Sequence, residues 1–240
     1  MASSTGGAAL GRIESLRRYP VKSLAGELLG DVDVDERGVA GDRMWAVRDA
    51  DGKLGSGKSS RRFRRMEGLL RLRATYDGDV PVVRFPDGRV VRGDEETVHD
   101  ALSSYVGRPV TLAREAEVPH HDDGPLHLVT TASLRWAEQV LGGPVDPRRL
   151  RPNLVLGTGG DQPREQQWLG RRVAVGEELV LEVVQPMPRC VMVDLDQDGL
   201  AVAGGLLKAL TEHSDGCLGV LASVVRPGRV RTGDEARLLG

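Results

Sequence analysis

Little in this 240-residue chain marks a specialised surface. Lys plus Arg number 33 against 35 Asp plus Glu, a formal net charge of −2. That balance gives no electrostatic case for nucleic acid or for an anionic membrane, both of which call for a basic excess. No apolar run approaches the roughly 18 residues that a membrane span requires. The opening MASSTGGAALG has neither the cationic start nor the apolar core of a secretory signal, so a cytoplasmic protein is expected. Cysteine is nearly absent. Cys190 and Cys217 are too few for a disulfide scaffold, and a reducing compartment keeps both as thiols. A small-molecule substrate is the partner these absences leave.

Missing motifs remove whole chemistries. There is no four-cysteine cluster set and no dinucleotide fingerprint, and 55-GSGKSS-60 misses the phosphate-loop spacing. The five histidines show no H-x-x-x-H pair. His120-His121-Asp122-Asp123 looks like a metal site, but tetrahedral coordination needs separated ligands that converge, which adjacent loop residues rarely provide.

What is present is a core-forming composition, 40% hydrophobic, sufficient for one large domain or two small ones. Its dominant period is two. In 27-ELLGDVDVDE-36, Leu28, Val32 and Val34 share one parity and Asp31, Asp33 and Asp35 the other, as a half-buried strand requires. Similar short runs recur along the chain at 43–49, 80–85, 110–114, 153–157, 171–175, 178–184 and 217–226. Asp51-Gly52, Asp77-Gly78, Asp87-Gly88 and Gly233-Asp234 supply turn chemistry between such runs. Many short strands punctuated in this way predict a barrel-like β architecture. Helices are few. One is expected over 94–107, capped by Asp94 and closed by Gly107; a second runs from about 131 to 141 before Gly142-Gly143-Pro144, and a third lies near 202–212. The aperiodic 115-EAEVPHHDDGP-125 reads as the main linker. The run 57-GKSSRRFRRM-66 holds five cations and is either a solvated loop or a docking patch for an anionic ligand or an acidic partner.

The two cysteines are the only candidates for a thiol nucleophile. Cys217 opens an apolar run and reads as a buried structural thiol. Cys190 follows a strand, lies between Pro186-x-Pro188 and an apolar step, and has Arg189 beside it. A neighbouring guanidinium favours the thiolate, the form that ligates soft metals or attacks sulfur. A structural role and a chemical role both remain open on these grounds alone.

Five short motifs occur in one order: Tyr19-Pro20-Val21-Lys22-Ser23, then Gly38-Val39-Ala40-Gly41-Asp42-Arg43-x-Trp45, then Arg151-Pro152-Asn153, Trp168-Leu169-Gly170 and Pro188-Arg189-Cys190. Together they resemble the MOSC family, named for the C-terminal domain of molybdenum cofactor sulfurases, with its N-terminal β-barrel partner domain. The resemblance covers roughly residues 12–49 and 126–235. It implies a mainly β, barrel-based fold with a few peripheral helices, α+β overall. The small, polar first nine residues, 1–9, read as a disordered start, and the resemblance implies an N-terminal β-barrel domain at 10–115 and a MOSC domain at 116–240.

The same resemblance implies a molybdenum cofactor, a molybdopterin, with Cys190 as the metal ligand. It assigns Lys22, Ser23 and Arg43 to the cofactor's phosphate and Arg151 and Asn153 to the pterin. Ser133 and Arg189 join the cofactor-binding set. Amidoxime-reducing members of the family reduce N-hydroxylated compounds, so an oxidoreductase acting on a small N-oxygenated substrate is implied. Because the chain carries no electron-relay motif of its own, that activity requires a separate electron-donor protein. Two other activities fit the family: a sulfur carrier that takes a Cys190 persulfide from a sulfur-donor protein, and a non-catalytic module that stores or delivers the cofactor. This chain departs from the reductases at 164-REQQW-168, which keeps only Glu165 of an acidic pair. It departs again at 191–196, where Val-Met-Val-Asp-Leu-Asp replaces a Thr-Thr pair and an Asp-Pro step, and at 130-TTAS-133.

Overall fold

The structure is a computed structural model that describes residues 7–240. Of the start expected to lack order, residues 1–6 lie outside the described residues, and Ala8 and Ala9 instead open the first strand. In chain order the front half contributes β1 (Ala8–Arg18), β2 (Glu27–Leu29), β3 (Asp31–Asp35), β4 (Gly38–Val39), β5 (Trp45–Asp49), β6 (Leu54–Ser56) and β7 (Phe63–Arg65). It continues with β8 (Arg73–Asp77), β9 (Val80–Arg84), β10 (Val90–Arg92), α1 (Thr97–Val106) and β11 (Val110–Arg114). The back half contributes β12 (Leu126–Thr130), α2 (Thr131–Leu141), β13 (Leu154–Gly157), β14 (Arg172–Val175) and β15 (Leu179–Pro188). After these come α3 (Leu206–Ser214), β16 (Cys217–Arg226), β17 (Gly228–Arg231) and β18 (Glu235–Leu238).

Seven strands close a barrel in the order β13-β12-β16-β15-β14-β18-β1 and back to β13, with β2 added on β1. Every pairing in it is antiparallel except β12 with β13. Closure depends on β1, whose 11 residues serve three partners: β18 through Ala8–Arg12, β13 through Arg12–Leu16 and β2 through Leu16–Arg18. Two register shifts let one strand turn between them, one at Gly11 and one between Ile13 and Ser15. Gly11 sits at φ 151°, and a Cβ there would lie 1.8 Å from the Gly157 carbonyl oxygen, so only glycine fits. The barrel interior is filled by Leu16, Leu128, Leu154, Leu181 and Val220 among others, all essentially buried.

The front half builds a second core from Leu24, Leu69, Leu72, Val83 and Leu102, packed between the sheets β11-β5-β6-β7 and β10-β9-β8 and α1. A third cluster, including Val129, Ala137, Leu206 and Leu210, seats α2 and α3 on the barrel's outside. The boundary drawn at 115/116 therefore separates motifs but not packing units. β1 belongs to the back-half barrel, and β3 pairs with β17 from the chain's end.

Local expectations met several corrections. α1 begins at Thr97, because the Asp94 carboxylate is taken by Arg92 rather than capping the helix. Leu28 is 61% exposed, since Gly30 ends its strand and the parity that buries Val32 and Val34 does not extend back to it. The third helix is shifted to Leu206–Ser214, and α2 has the bounds expected. No helix among the described residues is long and apolar enough to cross a membrane.

Candidate functional site

Between the two halves lies a cavity of about 260 Å³. The front half lines it with Lys22, Ser23, Arg43 and Lys58, the connecting segment with His121, Asp122 and Asp123, and the back half with His127, Arg149, Arg151, Asn153, Arg189 and Cys190. Six Lys or Arg side chains thus meet two aspartates. A surplus of that size in a partly closed space is matched to a multiply charged anion.

Three residues of the cavity are held in an uncommon backbone conformation. Ser23, Arg43 and Arg151 lie at φ 64°, 53° and 52°, three of the four non-glycine residues in the left-handed region among the described residues. Non-glycine residues adopt it at a cost, so their clustering on one cavity marks a site that the surrounding fold enforces. The enforcing contacts are visible. The Lys22 N–H donates to the Trp45 carbonyl at 2.8 Å and the Arg43 N–H to the Tyr19 carbonyl at 2.7 Å. Asp42, fully buried, accepts the Tyr19 N–H at 2.7 Å, pairs with Arg43 and lies 3.4 Å from His121 Nε2. Burial alone would raise the Asp42 pKa, but Arg43 and His121 outweigh it and hold the carboxyl far below the usual range. Tyr19 is a partition between cations: the Arg151 guanidinium stacks on its ring at 4.2 Å and that of Arg43 at 5.0 Å.

Lys22 is the most deeply placed amine of the cavity. Its Nζ donates to the His120 carbonyl at 2.9 Å and to Asp122, both on the connecting segment. Burial lowers its pKa to about 8, against the opposing pull of Asp122. The segment is thereby anchored. His120 Nε2 lies 2.8 Å from Arg48 Nη2 and Nδ1 lies 3.0 Å from the Arg43 carbonyl. Because arginine can only donate, His120 carries its proton on Nδ1 and gives it to that carbonyl. Burial and the charge of Arg48 lower its pKa to about 4, so it is neutral near pH 7. His120, Asp122 and their neighbours thus bond to different partners and do not converge as a ligand set.

The back wall carries the thiol. Cys190 is half-buried and follows β15, whose pairing with β16 shifts register on both sides of Pro186 and turns the chain toward the cavity. Arg189 fixes that turn: its N–H donates to the Gly216 carbonyl at 2.8 Å, its Nε to Leu218 O at 2.9 Å and its Nη1 to Leu150 O at 2.9 Å. A further N–H reaches His127 Nε2, which must then be the acceptor, leaving the imidazole proton on Nδ1. His127 is 3% exposed, its Nδ1 has no partner among the described residues, and burial followed by Arg189 lowers its pKa well below the usual value. Burial also lowers Arg189, to about 9, with the charges of Cys190 and Cys217 opposing. Gly219 makes room for this contact, since a Cβ there would stand 2.6 Å from His127 Nε2 and 2.7 Å from the Leu128 carbonyl oxygen.

Seven of the eight residues singled out from the sequence share the cavity: Lys22, Ser23, Arg43, Arg151, Asn153, Arg189 and Cys190. Asn153 spends part of its amide on the fold, accepting the His127 N–H at 3.2 Å and donating to the Arg17 carbonyl at 3.3 Å. Ser133 is the exception and a correction. It is fully buried at the start of α2, away from the cavity, and its hydroxyl donates at 2.5 Å to Glu165, which also accepts from Thr130 at 2.8 Å. The anion favoured at that helix start is supplied by the chain itself. Cys217, expected to be buried, is half-buried, with Sγ 3.7 Å from the Asp215 carbonyl oxygen. Of the basic run, Lys58 reaches the cavity, while Arg62 bonds the Pro119 carbonyl and Arg64 bonds Asp49 and Asp51.

Sequence reasoning missed His127, Arg149 and Asp122 as cavity residues. His127 and Arg149 sit in no motif and Asp122 was offered only within the metal lookalike 120–123, and each is brought in by pairing with residues far along the chain. Arg149, for example, donates to the carbonyls of Val193, Leu195 and Ala201 and so holds the segment after Cys190.

Residues 10–107 match the model of the MOSC N-terminal beta barrel domain and residues 115–237 that of the MOSC domain. Among solved structures, the YuaD protein from Bacillus subtilis is similar over 95% of this chain and 94% of its own, at 18% identity and a TM-score of 0.53, a likeness of fold. YiiM from Geobacillus stearothermophilus is 16% identical over 65% of this chain and 70% of its own, with a TM-score of 0.40. YiiM from Escherichia coli is 21% identical over 49% and 55%, with a TM-score of 0.36. No curated protein matches the chain.

Proposed function

Because the chain belongs to the MOSC domain family, with that family's N-terminal β-barrel domain in front, we propose that its cavity holds a molybdenum–pterin cofactor and that the protein is an oxidoreductase acting on a small N-oxygenated substrate. One observation carries this reading: the Cys190 thiol and the cations Lys22 and Arg43 line one cavity from opposite halves of the chain. A soft ligand and a dianion cradle in one space are the two things a phosphorylated metal cofactor needs. The donor set fits such a group, because six Lys or Arg side chains line the cavity against two aspartates, a cationic surplus that a phosphorylated ligand would neutralise.

In this reading Lys22, Ser23 and Arg43 hold the phosphate, Arg151 and the unused part of the Asn153 amide orient the pterin, and Cys190 ligates the metal. The bound group would supply two-electron redox chemistry. Reducing an N–O bond consumes two electrons and two protons and releases water, so a separate electron-donor protein is required. Arg189 and Arg149 act on either side of the thiol, fixing the backbone that presents it.

The test is the molybdenum and pterin content of protein purified from a host that makes the cofactor. Near-stoichiometric metal and pterin are expected, with metal lost in Cys190→Ser while phosphate affinity persists. Less than about a tenth of an equivalent of molybdenum in the wild type overturns the reading. Cofactor bound without turnover of any hydroxylamine, amidoxime or N-oxide leaves storage or delivery instead.

A sulfur-carrier reading is favoured by one observation: Arg189 lines the same cavity as Cys190, so a persulfide anion at position 190 would have a fixed cation nearby. Exposure to a cysteine desulfurase would then add about 32 Da, one sulfur atom, to the wild type and not to Cys190→Ser.

A further inference from the structure

A second cleft, of about 370 Å³, has Tyr19 and Arg151 in its wall. Its walls include Arg17 from β1, Leu28 from β2, Arg148 and Arg151 before β13, and Arg73 and Asp198. Charge bookkeeping separates these arginines into two kinds. Arg73 bonds Asp198 at 2.5 Å, and Arg148 takes both oxygens of Asp146. Glu27, the other acid of the cleft, is held by Arg18 at 2.8 Å. Every nearby carboxylate is therefore engaged by another arginine. Arg17 has no side-chain hydrogen bond or ion pair among the described residues, and its Nε is buried without a partner. Arg151 uses Nη1 on the Leu24 carbonyl at 2.6 Å, and its Nη2 is likewise buried without a partner.

Two guanidinium groups on one cleft, each keeping an N–H without a partner, and no unpaired acid beside them among the described residues, suit a doubly charged oxyanion. Leu28 gives it a direction. It pairs directly opposite Arg17 across β1 and β2, which puts both side chains on one face, and it is 61% exposed. An exposed leucine beside two unsatisfied arginines suits a ligand with a charged end and an apolar or planar body. We propose that this cleft is a second anion site, distinct from the cavity that contains Cys190, and that it takes the phosphate of a small phosphomonoester. The charge surplus of two matches the dianion, and the volume holds a phosphate with a modest organic body.

Arg151 lines both spaces, so the two readings share that residue, and the test separates them through Lys22 and Arg17, each of which lines only one. Ligand-free protein is titrated with inorganic phosphate near pH 7.5, with calorimetry for stoichiometry and the arginine Nε–H resonances for location. Two phosphates per chain are expected. Lys22→Met removes one and leaves the Arg17 resonance responsive, whereas Arg17→Met removes the other, weakening it at least tenfold, and leaves the Lys22-dependent event intact. A wild type that binds a single phosphate, lost in Lys22→Met and untouched in Arg17→Met, overturns the second site. Loss of both events in Arg17→Met alongside native circular dichroism also overturns it, because the two clefts would then be one. If Arg17→Met fails to fold, Arg17→Lys serves: it keeps the charge but not the planar donor fork, and phosphate affinity at this site must still fall several-fold. With the site confirmed, a phenyl phosphate titration asks whether the apolar body adds affinity over inorganic phosphate, as contact with Leu28 requires.

Discussion

On the front wall of the Cys190 cavity, Lys22 and Arg43 each face a carboxylate, Asp122 and Asp42, whereas on the back wall Arg189 and Arg149 give their N–H groups to main-chain carbonyls. The two kinds of partner behave differently when an anion arrives. A carboxylate on a connecting segment, like Asp122 with its side chain 32% exposed, can be exchanged for another oxyanion at modest electrostatic cost. A backbone carbonyl inside the fold cannot move away, and leaving it without a donor costs stability outright. The front wall is therefore built to change partners, and the back wall to hold one geometry. Asp42 is intermediate: sealed in and bonded to the Tyr19 N–H, it orients Arg43 and leaves the far side of that guanidinium to the cavity.

The largest consequence falls on Arg189. Arg189→Ala strips the donors from Leu150 O, Leu218 O and His127 Nε2 together, and should lower the unfolding free energy by about 3 kcal/mol in urea denaturation. Arg189→Lys should recover less than half of this, since one ammonium cannot span that fork. A loss under about 1 kcal/mol would place Arg189 with the exchangeable cations and erase the contrast between the walls.

Lys22 should show the reverse behaviour, a modest effect on folding and a clear one on anions. Lys22→Met should weaken sulfate binding at this cavity about thirtyfold, near 2 kcal/mol, the worth of a charge-assisted hydrogen bond. The wild type adds a pH signature. Lys22 has a pKa lowered from 10.5 to about 8, so the amine is charged below that value and neutral above it. Sulfate affinity should consequently fall as pH rises through about 8, and Lys22→Met should lack that step. Sulfate is the suitable probe because its own charge is constant across this range. A flat wild-type profile would mean that Lys22 does not read the anion.

How much of this contrast was legible in the sequence depends on the range of the cause. α2 was read with its bounds because a helical stripe, a threonine start and Gly142-Gly143 are all local. β1 was not read as a strand, since its two register shifts interrupt the period of two on which such a reading relies. Barrel closure was hidden with it. The front-wall residues arrived within motifs, so Lys22, Ser23 and Arg43 were named together. What holds them lies far off in sequence: Asp122 is 100 residues from Lys22, and the Tyr19 hydroxyl bonds the Pro152 carbonyl 133 residues away. No pattern within a window exposes pairings of that span. The back wall was named for its motif while its bonding was invisible: Arg189, expected as a cofactor contact, lines the cavity with most of its N–H groups on carbonyls and a histidine.

Ser133 tests the same distinction at its weakest point, because the motif resemblance placed it with the anion-reading residues and the fold places it with the fixed ones. Its hydroxyl and that of Thr130 hold the buried Glu165 carboxylate at the start of α2. Ser133→Ala should therefore cost about 1.5 kcal/mol of stability, the loss of one hydrogen bond to a buried charge, with the Thr130 bond and the Arg164 N–H still holding the other oxygen. Sulfate affinity should stay within about twofold of the wild type, a change under 0.5 kcal/mol. Pairing it with Glu165→Gln separates the outcomes further: both singles remove the same bond to the carboxylate, so the double variant should lose less than the sum of the singles if the serine serves only that carboxylate. A sulfate affinity that collapses in Ser133→Ala while stability holds would return this serine to the cavity and make the start of α2, not the Lys22 loop, the place where the chain meets its anion.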